Sequence, residues 1–459
     1  MLIYELVRRF VRSWPFFYGY VLAASATMGL ISSGPGQTPV IGTTITDVSK
    51  DLGLTRTQVS SLYLVATLGS ACTLPLVGRF LDQFGPPIMF LLAVLGLGVM
   101  CWVYAFLCSS ALLLGICFYG LRLFGQGMLT MVSQNAINNW FDKKRGRVMG
   151  VCSFVSSIGL TGLLSSIVKE QVVSTGWRSA YARLGFAEVC VVLPLGLLFI
   201  RQKPEVYGLL PDGENPSNKA DHALVRPQQL IELAVSDDAH IKDIPPTALW
   251  NKSSEDFTLK QALRTCAFWI FCTGAFIISA LGTALFFHLD SLFPKEIGYE
   301  PYLQRVYLSS AVSAAGFTVI AGVAADRFQA KYIMSLALFM NASFILCSAA
   351  LCASGSFVGW PLYAIGFFHG VTMGFFGLVN SVVYANWFGR THLGKIQGVS
   401  KSLVVLGSAV GPAVISVGHD LSGDYVAVLA LSAVMPIMCG VAILYVSKPT
   451  KMEEYVEFS

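Results

Sequence analysis

Two cationic side chains lie deep inside apolar stretches of this sequence, where a charge is costly unless it meets a polar partner or a ligand. Arg122 lies about a dozen residues into the stretch 111–138, and Lys401 lies seven residues after Gly394 in a later stretch. A buried cation needs a negative partner, which an anionic ligand would supply. For Arg122 the alternative is pairing with backbone carbonyls or another helix, and for Lys401 it is extension of the side chain to the aqueous surface. The two residues predict a binding site for a carboxylate.

The apolar stretch 16–44 is interrupted by residues 34–39, with the sequence GPGQTP. Two prolines and two glycines should kink a helix and free backbone carbonyls and amides, which must then face a cavity or polar neighbours. Gln37 would be presented at this break and would orient the same ligand. A purely structural kink is the alternative.

Five further polar residues lie within apolar stretches. A histidine side chain can gain or lose a proton near neutral pH, so we predict that His369 hydrogen-bonds the ligand and that His288 carries a coupling proton. Glu188 is a second candidate for the proton. For these three residues a packing or structural role is the alternative. Asn135 and Asn380 are predicted to line the part of the path that leads to the cytosol.

The composition excludes a soluble protein. Hydrophobic residues make up 54% of the chain and charged residues 12%, against roughly 25% charged in an ordinary soluble domain, and the mean hydropathy is +0.64. The 11 cysteines mostly lie in apolar stretches without metal-ligand spacing. No P-loop, nucleophile elbow or metal motif is visible. We therefore expect no enzyme activity, no cofactor, no metal site and no nucleic-acid partner.

The apolar stretches predict helices that cross a lipid bilayer, because each is long enough for about 30 Å of hydrocarbon. Six precede a polar segment and six follow it. The predicted fold is an all-α membrane protein of twelve transmembrane helices in two pseudo-symmetric six-helix bundles. We number the helices as spans 1 to 12, at about 16–44, 57–80, 87–108, 111–138, 147–169, 179–200, 265–292, 304–325, 331–353, 359–387, 395–418 and 424–446.

The polar segment 201–262 is rich in proline and charge and is predicted to be a linker. It separates an N-terminal bundle, 1–200, from a C-terminal bundle with a short tail, 263–459. With a cytosolic N-terminus, 22 of the 31 Lys and Arg residues fall on the cytosolic side, seven fall outside and two lie within spans. This bias predicts that both termini and the linker are cytosolic. We expect an integral multi-pass protein of the plasma membrane.

Two short motifs occur in both halves of the chain. Residues 78–85, GRFLDQFG, are echoed by residues 322–328, GVAADRF, and the NWF at 139–141 recurs at 386–388. The repeats begin 244 and 247 positions apart, which indicates two copies of one design. A membrane protein with two equal halves is typical of a transporter that binds its ligand between them.

The twelve spans and the repeated motif resemble the major facilitator superfamily over essentially the whole chain. The superfamily's signature between spans 2 and 3 is a Gly, an Asp four residues on, then a Gly and basic residues; here 78–85 keeps the first three, and Pro86 and Pro87 replace the basic end. The Arg-x-x-x-Gln-Gly element that starts at Arg122 resembles a second signature. The resemblance implies two bundles that rock about a central site and a cytosolic latch between them. The predicted latch residues are Gly78, Asp82, Gly85, Arg145, Gly322, Asp326 and Arg327.

Several framework phrases resemble the branch of oxalate/formate antiporters and monocarboxylate transporters, among them 139–146 and 201–213. Lys401 resembles the lysine of span 11 with which oxalate/formate-type carriers hold a carboxylate. Dicarboxylate carriers pair that lysine with an arginine in span 8, whereas here 309–325 contains no basic residue and Thr318 lies near the expected place. This departure from the dicarboxylate carriers leaves one cation in the cavity, which suits a singly charged anion better than a doubly charged one.

The predicted function is secondary active transport of a small organic anion, a monocarboxylate, by alternating access, with a proton or a counter-substrate as the coupling species. The predicted substrate site comprises Gln37, Arg122, His369 and Lys401. An efflux carrier for amphipathic or neutral compounds is one alternative. A membrane receptor that does not transport is another.

Overall fold

In a computed structural model the chain is almost entirely helical, as predicted. The structure describes residues 2–214, 256–289, 300–355 and 359–450. Within these ranges 10 helices are long and apolar enough to cross a membrane. They are Thr57–Leu107, Ala111–Trp140, Arg145–Thr175, Trp177–Phe199, Cys266–Phe286, Gln304–Arg327, Ala330–Ser354, Trp360–Phe388, Leu393–Ser422 and Tyr425–Leu444.

Two local features explain why the described part of the structure shows 10 such helices where the sequence predicts twelve spans. Span 1 is built in pieces, Gly19–Ser32, Gly34–Gly36 and Thr38–Gly42, and each piece is too short to be counted. Spans 2 and 3 are counted once because helical backbone runs through Arg56–Trp102, with a single break at Gly85, where φ is 78°. The 10 helices are therefore consistent with twelve spans.

Local sequence determines where several spans begin. Thr55 starts span 2 with a capping box, in which its hydroxyl accepts from the Gln58 amide at 3.2 Å and the Gln58 side chain accepts from the Thr55 amide at 2.9 Å. Ser110 starts span 4 and Thr265 starts span 7 with one such side-chain bond each. These oxygens satisfy backbone N–H groups that the first helical turn leaves free.

Spans 3 to 6 each include a stretch of π-helix. A π-helical turn holds more residues than an α-helical turn, and such turns are frequent at functional sites. Two of the residues singled out in the sequence, Arg122 and Glu188, are the first residues of such stretches. The four stretches are Val103–Leu107, Arg122–Leu129, Ile158–Leu164 and Glu188–Val192.

One side of the molecule, which we call the linker face, carries residues 201–214 and the connections between spans 2 and 3, 4 and 5, and 10 and 11. Trp140 Nε1 donates to the backbone carbonyl of Gln202 at 2.7 Å, and the side-chain Nε2 of Gln202 donates to the Phe84 carbonyl at 3.2 Å. Residues 215–255, the middle of the predicted linker, lie outside the described residues. The short helices outside the spans are Leu2–Arg12, Ile45–Asp51, Pro204–Tyr207, Pro211–Gly213 and Leu259–Leu263.

The opposite face carries the connections between spans 1 and 2, 3 and 4, and 5 and 6. Arg178 joins them, because its guanidinium pairs with Asp51 at 2.9 Å and donates to the Cys108 carbonyl at 2.8 Å. Successive connections of the first half thus alternate between the two faces, as helices that cross a membrane require.

The two halves meet along two pairs of helices, span 2 with span 11 and span 5 with span 8. We call this boundary the seam. Glycines make its closest contacts: a Cβ on Gly394 would lie 2.5 Å from the Gly78 carbonyl oxygen, and one on Gly146 would lie 2.5 Å from the Gly322 carbonyl oxygen. In a membrane, small residues let two helices approach backbone to backbone. The halves are therefore closely packed towards the linker face.

Candidate functional site

Lys401 points across the seam into the other half. Its ammonium donates to Gln134 Oε1 of span 4 at 2.6 Å, and both side chains are half-buried. Among the described residues no carboxylate pairs with it. In this structure the Lys401 side chain therefore reaches span 4 and does not extend to the aqueous surface. A neutral amide of the first half holds the cation of the second half inside the molecule.

Span 4 presents a polar stripe that leads to this contact. Gln126, Thr130 and Gln134 are half-buried, whereas most of their neighbours on the same helix are buried. Residues spaced by four share one face of a helix. From the break in span 1, the Gln37 amide donates to Ser33 Oγ at 3.0 Å and to Thr130 Oγ1 at 3.4 Å. Gln37 therefore lies against the stripe of span 4.

Arg122 holds the break in span 1. It is 3% exposed, and its Nη1 donates to the Gly36 carbonyl at 3.4 Å and to Thr38 Oγ1 at 3.2 Å. Its guanidinium carbon lies 5.2 Å from the centroid of the Tyr63 ring. A Cβ on Gly36 would collide with the Leu121 carbonyl, so the two helices approach this closely only at a glycine. Arg122 therefore pairs with a backbone carbonyl that the break in span 1 leaves free.

Arg122 and Lys401 lie at different depths. Gln134, the partner of Lys401, follows Arg122 by twelve positions on span 4, which is about three helical turns. No described contact joins the Arg122 guanidinium to the Lys401 ammonium or to Gln134. The structure thus places the two cations near opposite ends of the polar stripe, and Gln37 contacts the stripe between them.

Asp82 and Asp326 each bind the start of a helix in the opposite half. Asp82 accepts from the amides of Gly394 and Lys395, at the start of span 11, at 2.7 and 2.9 Å. Asp326 accepts from the amide of Gly146 and from the next amide, at the start of span 5, at 2.6 and 3.1 Å. Free N–H groups and the helix dipole favour a carboxylate at a helix N-terminus. The two copies of the motif make the same contact in opposite directions.

Arg145 and Arg390 also cross the seam in opposite directions. Arg145 is 2% exposed and donates to Asn386 Oδ1 of the second half. Arg390 donates to the Asn139 carbonyl of the first half at 2.5 Å and pairs with Glu205 at 2.7 Å. Asn139 and Asn386 begin the two NWF motifs, so the second repeated motif also contributes to the seam.

The other two predicted latch residues lie beside these contacts. Gly85 forms the break between spans 2 and 3, where the Gln202 side chain covers it. Arg327 is exposed at the end of span 8. Its neighbour Asp326 pairs instead with Arg147, whose Nε lies 2.7 Å from the carboxylate.

Two aspartates from the ends of the predicted linker, which we call the bracket aspartates, hold the same connections from their own half. Asp212 accepts from the amides of residues 142–144 at 3.1, 2.7 and 3.2 Å. Asp256 accepts from the amides of Arg390 and Thr391 at 3.2 and 2.9 Å. Each connection is therefore held by one carboxylate of its own half and, a few residues on, by a latch carboxylate of the other half. On the same face of the molecule, burial of the Lys203 side chain is the main cause that lowers its pKa.

Carboxamides fill the seam between Lys401 and the latch. Asn138 and Gln397, from opposite halves, donate to one carbonyl, that of Ser381, at 2.7 and 3.0 Å. A buried amide atom without a partner costs about 1–3 kcal/mol, so these groups would gain from water if the seam opened. Among the described residues of spans 4, 10 and 11, the buried amide atoms without a partner are Asn135 Nδ2, Asn138 Oδ1, Asn139 Oδ1, Asn380 Oδ1 and Gln397 Oε1.

The two histidines are engaged within the second half. His369 Nδ1 hydrogen-bonds with Ser310 Oγ at 2.7 Å, and its ring stacks on Phe286 with centroids 3.9 Å apart. His288 Nε2 lies 3.0 Å from the Pro412 carbonyl and joins spans 7 and 11. Among the described contacts, neither histidine reaches the polar stripe of span 4.

Glu188 lies between spans 6 and 3 of the first half. It is 4% exposed, and its Oε2 has no partner among the described residues. A Cβ on Gly98 of span 3 would lie 3.6 Å from the Cβ of Glu188. The structure therefore places this carboxyl group apart from the polar stripe and from the seam.

Sequence reasoning missed Gln134 and the bracket aspartates. A signal for Gln134 was present, since it follows Thr130 by four residues on a span that already carried Arg122. Asp212 and Asp256 lie in a polar segment, where no periodicity distinguishes one carboxylate from another.

Comparison with known proteins agrees with this architecture. The chain is 22% identical over 383 residues to the oxalate:formate antiporter of Oxalobacter formigenes, which covers 80% of this chain and 78% of that protein. It is 27% identical over 157 residues to the probable L-galactonate transporter of Escherichia coli (strain K12), a match that spans 33% of each protein.

Solved structures show the same fold. The proton:xylose symporter XylE bound to 6-bromo-6-deoxy-D-glucose superimposes with a TM-score of 0.69 at 15% identity, over 93% of this chain and 95% of that one. The human organic anion transporter MFSD10 (TETRAN) gives 0.58 at 15% identity, over 93% and 99%. The profile of the Major Facilitator Superfamily matches residues 17–342 and 307–457. Since this match, the paired bundles and the repeated motif cover nearly the whole chain, the protein belongs to the major facilitator superfamily of membrane transporters.

Proposed function

We propose that the protein is a secondary carrier that moves a small organic anion, a monocarboxylate, by alternating access. The observation that carries the proposal is the ammonium of Lys401, which lies at the seam, 2.6 Å from a neutral amide oxygen, with no carboxylate partner among the described residues. Charged side chains inside a membrane protein mark ligand pathways, and a cation favours an anionic ligand.

The charge count supports a singly charged cargo. Span 8 offers no second cation at Thr318, whose hydroxyl donates to the Ala314 carbonyl of its own helix at 2.7 Å. Arg122 lies about three helical turns along span 4 from the partner of Lys401 and holds the break in span 1. Of the two anions in the name of the oxalate:formate antiporter, formate is the singly charged one.

Three further predicted residues, Gln37, Asp82 and Asp326, have a place in this proposal. Gln37 and the polar stripe of span 4 form the path between Arg122 and Lys401. Asp82 and Asp326 latch the seam when the linker face is closed. We infer that the linker face and both termini are cytosolic and that the membrane is the plasma membrane. A proton or a counter-substrate drives the cycle, and no chemical step is performed on the cargo.

The test is uptake of radiolabelled formate and acetate into proteoliposomes by the wild type and Lys401→Gln. We expect at least a tenfold lower uptake by the variant, because the cation that attracts the carboxylate is gone. Lys169→Gln is the matched control, since Lys169 is an exposed lysine at the far end of span 5. Unchanged uptake by Lys401→Gln would remove Lys401 from the site. Transport of neutral or amphipathic compounds that carboxylates do not inhibit would favour an efflux carrier.

A further inference from the structure

The contact between Lys401 and Gln134 joins the two halves deep in the membrane. Lys401 lies seven residues beyond Gly394, which Asp82 binds, so the contact is about 10 Å deeper than that latch. It therefore lies where the path of span 4 meets the seam, and it must break whenever the two helices separate.

The two partners are chemically mismatched. An ammonium has three N–H donors, and a carboxylate oxygen adds to such a bond the attraction between opposite charges, which a neutral amide oxygen lacks. Here the acceptor is the carbonyl oxygen of a neutral amide at 2.6 Å. A small carboxylate that enters along the stripe of Gln126 and Thr130 is a stronger acceptor for the same ammonium and can displace Gln134.

We propose that Gln134 is a cargo-sensitive tether: its amide oxygen and the carboxylate of the cargo compete for Lys401, so binding of the cargo releases this link between the halves. The inference rests on the proposed function. A ligand shifts a conformational equilibrium only by its different affinity for the two states. Competition for one ammonium supplies that difference, because in this proposal the carboxylate takes the place of the Gln134 oxygen on Lys401 and so breaks the tether between spans 4 and 11.

The tether also makes Gln134 a specificity residue. A glutamate in its place would carry its own carboxylate to Lys401 and compete permanently with the cargo. A leucine would have nearly the same shape but no acceptor. The two substitutions therefore have opposite effects on cargo binding, whereas a purely structural role predicts that both weaken it.

The experiment measures thermal stabilisation of the purified full-length protein by formate, acetate and oxalate, since a ligand that binds the native state raises its stability. We expect the apparent affinity for formate to fall at least tenfold in Gln134→Glu and to be equal or higher in Gln134→Leu. Gln171→Glu is the matched control, because Gln171 lies near the opposite face and the bond that it accepts from Thr175 goes to its backbone carbonyl, which the substitution keeps.

A second measurement reports the tether directly. Spin labels on non-natural amino acids at positions 83 and 328, which are exposed on the linker face in the two halves, give the distance across the seam. We expect formate to broaden this distance distribution in the wild type, and Gln134→Leu to show the broad distribution without formate.

The outcomes separate the inference from the proposed function. If formate stabilises the wild type and Gln134→Glu equally, the tether is overturned and the carrier function stands. If Gln134→Leu keeps the narrow distribution until formate is added, the tether is likewise overturned. If no carboxylate stabilises the wild type while Gln134→Leu still broadens the distance distribution, the anion-carrier function fails. Gln134 then links the two halves, but its release does not depend on a carboxylate cargo.

Discussion

At the residue scale, the break in span 1 shows how the absence of a side chain positions a charged one. Gly36 lies so close to span 4 that a Cβ would collide with the Leu121 carbonyl and come within 2.9 Å of the Cα of Gly125. Because the helices approach this closely, the Gly36 carbonyl that the break frees comes within reach of Arg122. The position of the cation therefore depends on a glycine 86 residues away.

Gly36→Ala is expected to destabilise the protein by about 2 kcal/mol or more, since a clash with backbone atoms cannot be relieved by a rotamer change. Gly42→Ala is the matched control, because Gly42 belongs to the same broken span and no atom lies within 4 Å of its added Cβ. Thermal unfolding of the purified variants measures both effects. Equal midpoints for the two variants would contradict the close approach of spans 1 and 4.

At the scale of elements, the connections before spans 5 and 11 are each held by two carboxylates. The bracket aspartates Asp212 and Asp256 bind the connections from their own half, and the latch aspartates Asp326 and Asp82 bind the following amides from the other half. The linker ends thus position the backbone amides to which the latch binds. This gives the linker a structural role in the seam beyond joining two bundles.

Asp212→Asn and Asp256→Asn are each expected to lower the free energy of unfolding by about 1–3 kcal/mol, because bonds from backbone amides to a charged oxygen are replaced by weaker neutral ones. Asp47→Asn, an exposed aspartate near the opposite face, is the control. Chemical denaturation in detergent measures the change. A large loss in one bracket variant and none in the other would contradict the equivalence of the two connections.

At the scale of the whole molecule, the repeated motifs bring the halves together through the same contacts used twice. The hydrogen bonds that the described residues make across the seam lie between the depth of Lys401 and the linker face. A carrier that works by alternating access takes this arrangement when it is closed on the linker side.

The proposed orientation predicts which thiols react from outside intact cells. Ser174→Cys, exposed on the opposite face, should react with a membrane-impermeant maleimide, whereas Gln83→Cys and Ser447→Cys should react only after permeabilisation. The wild type gives the background from native cysteines. Reaction of Gln83→Cys and Ser447→Cys on different sides of the membrane would contradict twelve spans, and reaction of both from outside would invert the orientation.

The sequence by itself determined the helical elements and their duplication. Apolar length is a property of consecutive residues, so it can be read without knowing how the chain folds. Asp82 and Asp326 could be singled out for the same reason, because one motif occurs at matched places in both halves.

Only the tertiary structure decided which polar groups meet. Lys401 binds Gln134, 267 positions away, while Arg122 lies at the other end of the path and His369 packs inside the second half. Helical periodicity gives the face that a residue occupies on its own helix. The rotation and depth of that helix relative to another one are set by packing across the seam, where glycines allow the closest approach, and no local pattern in the sequence encodes them.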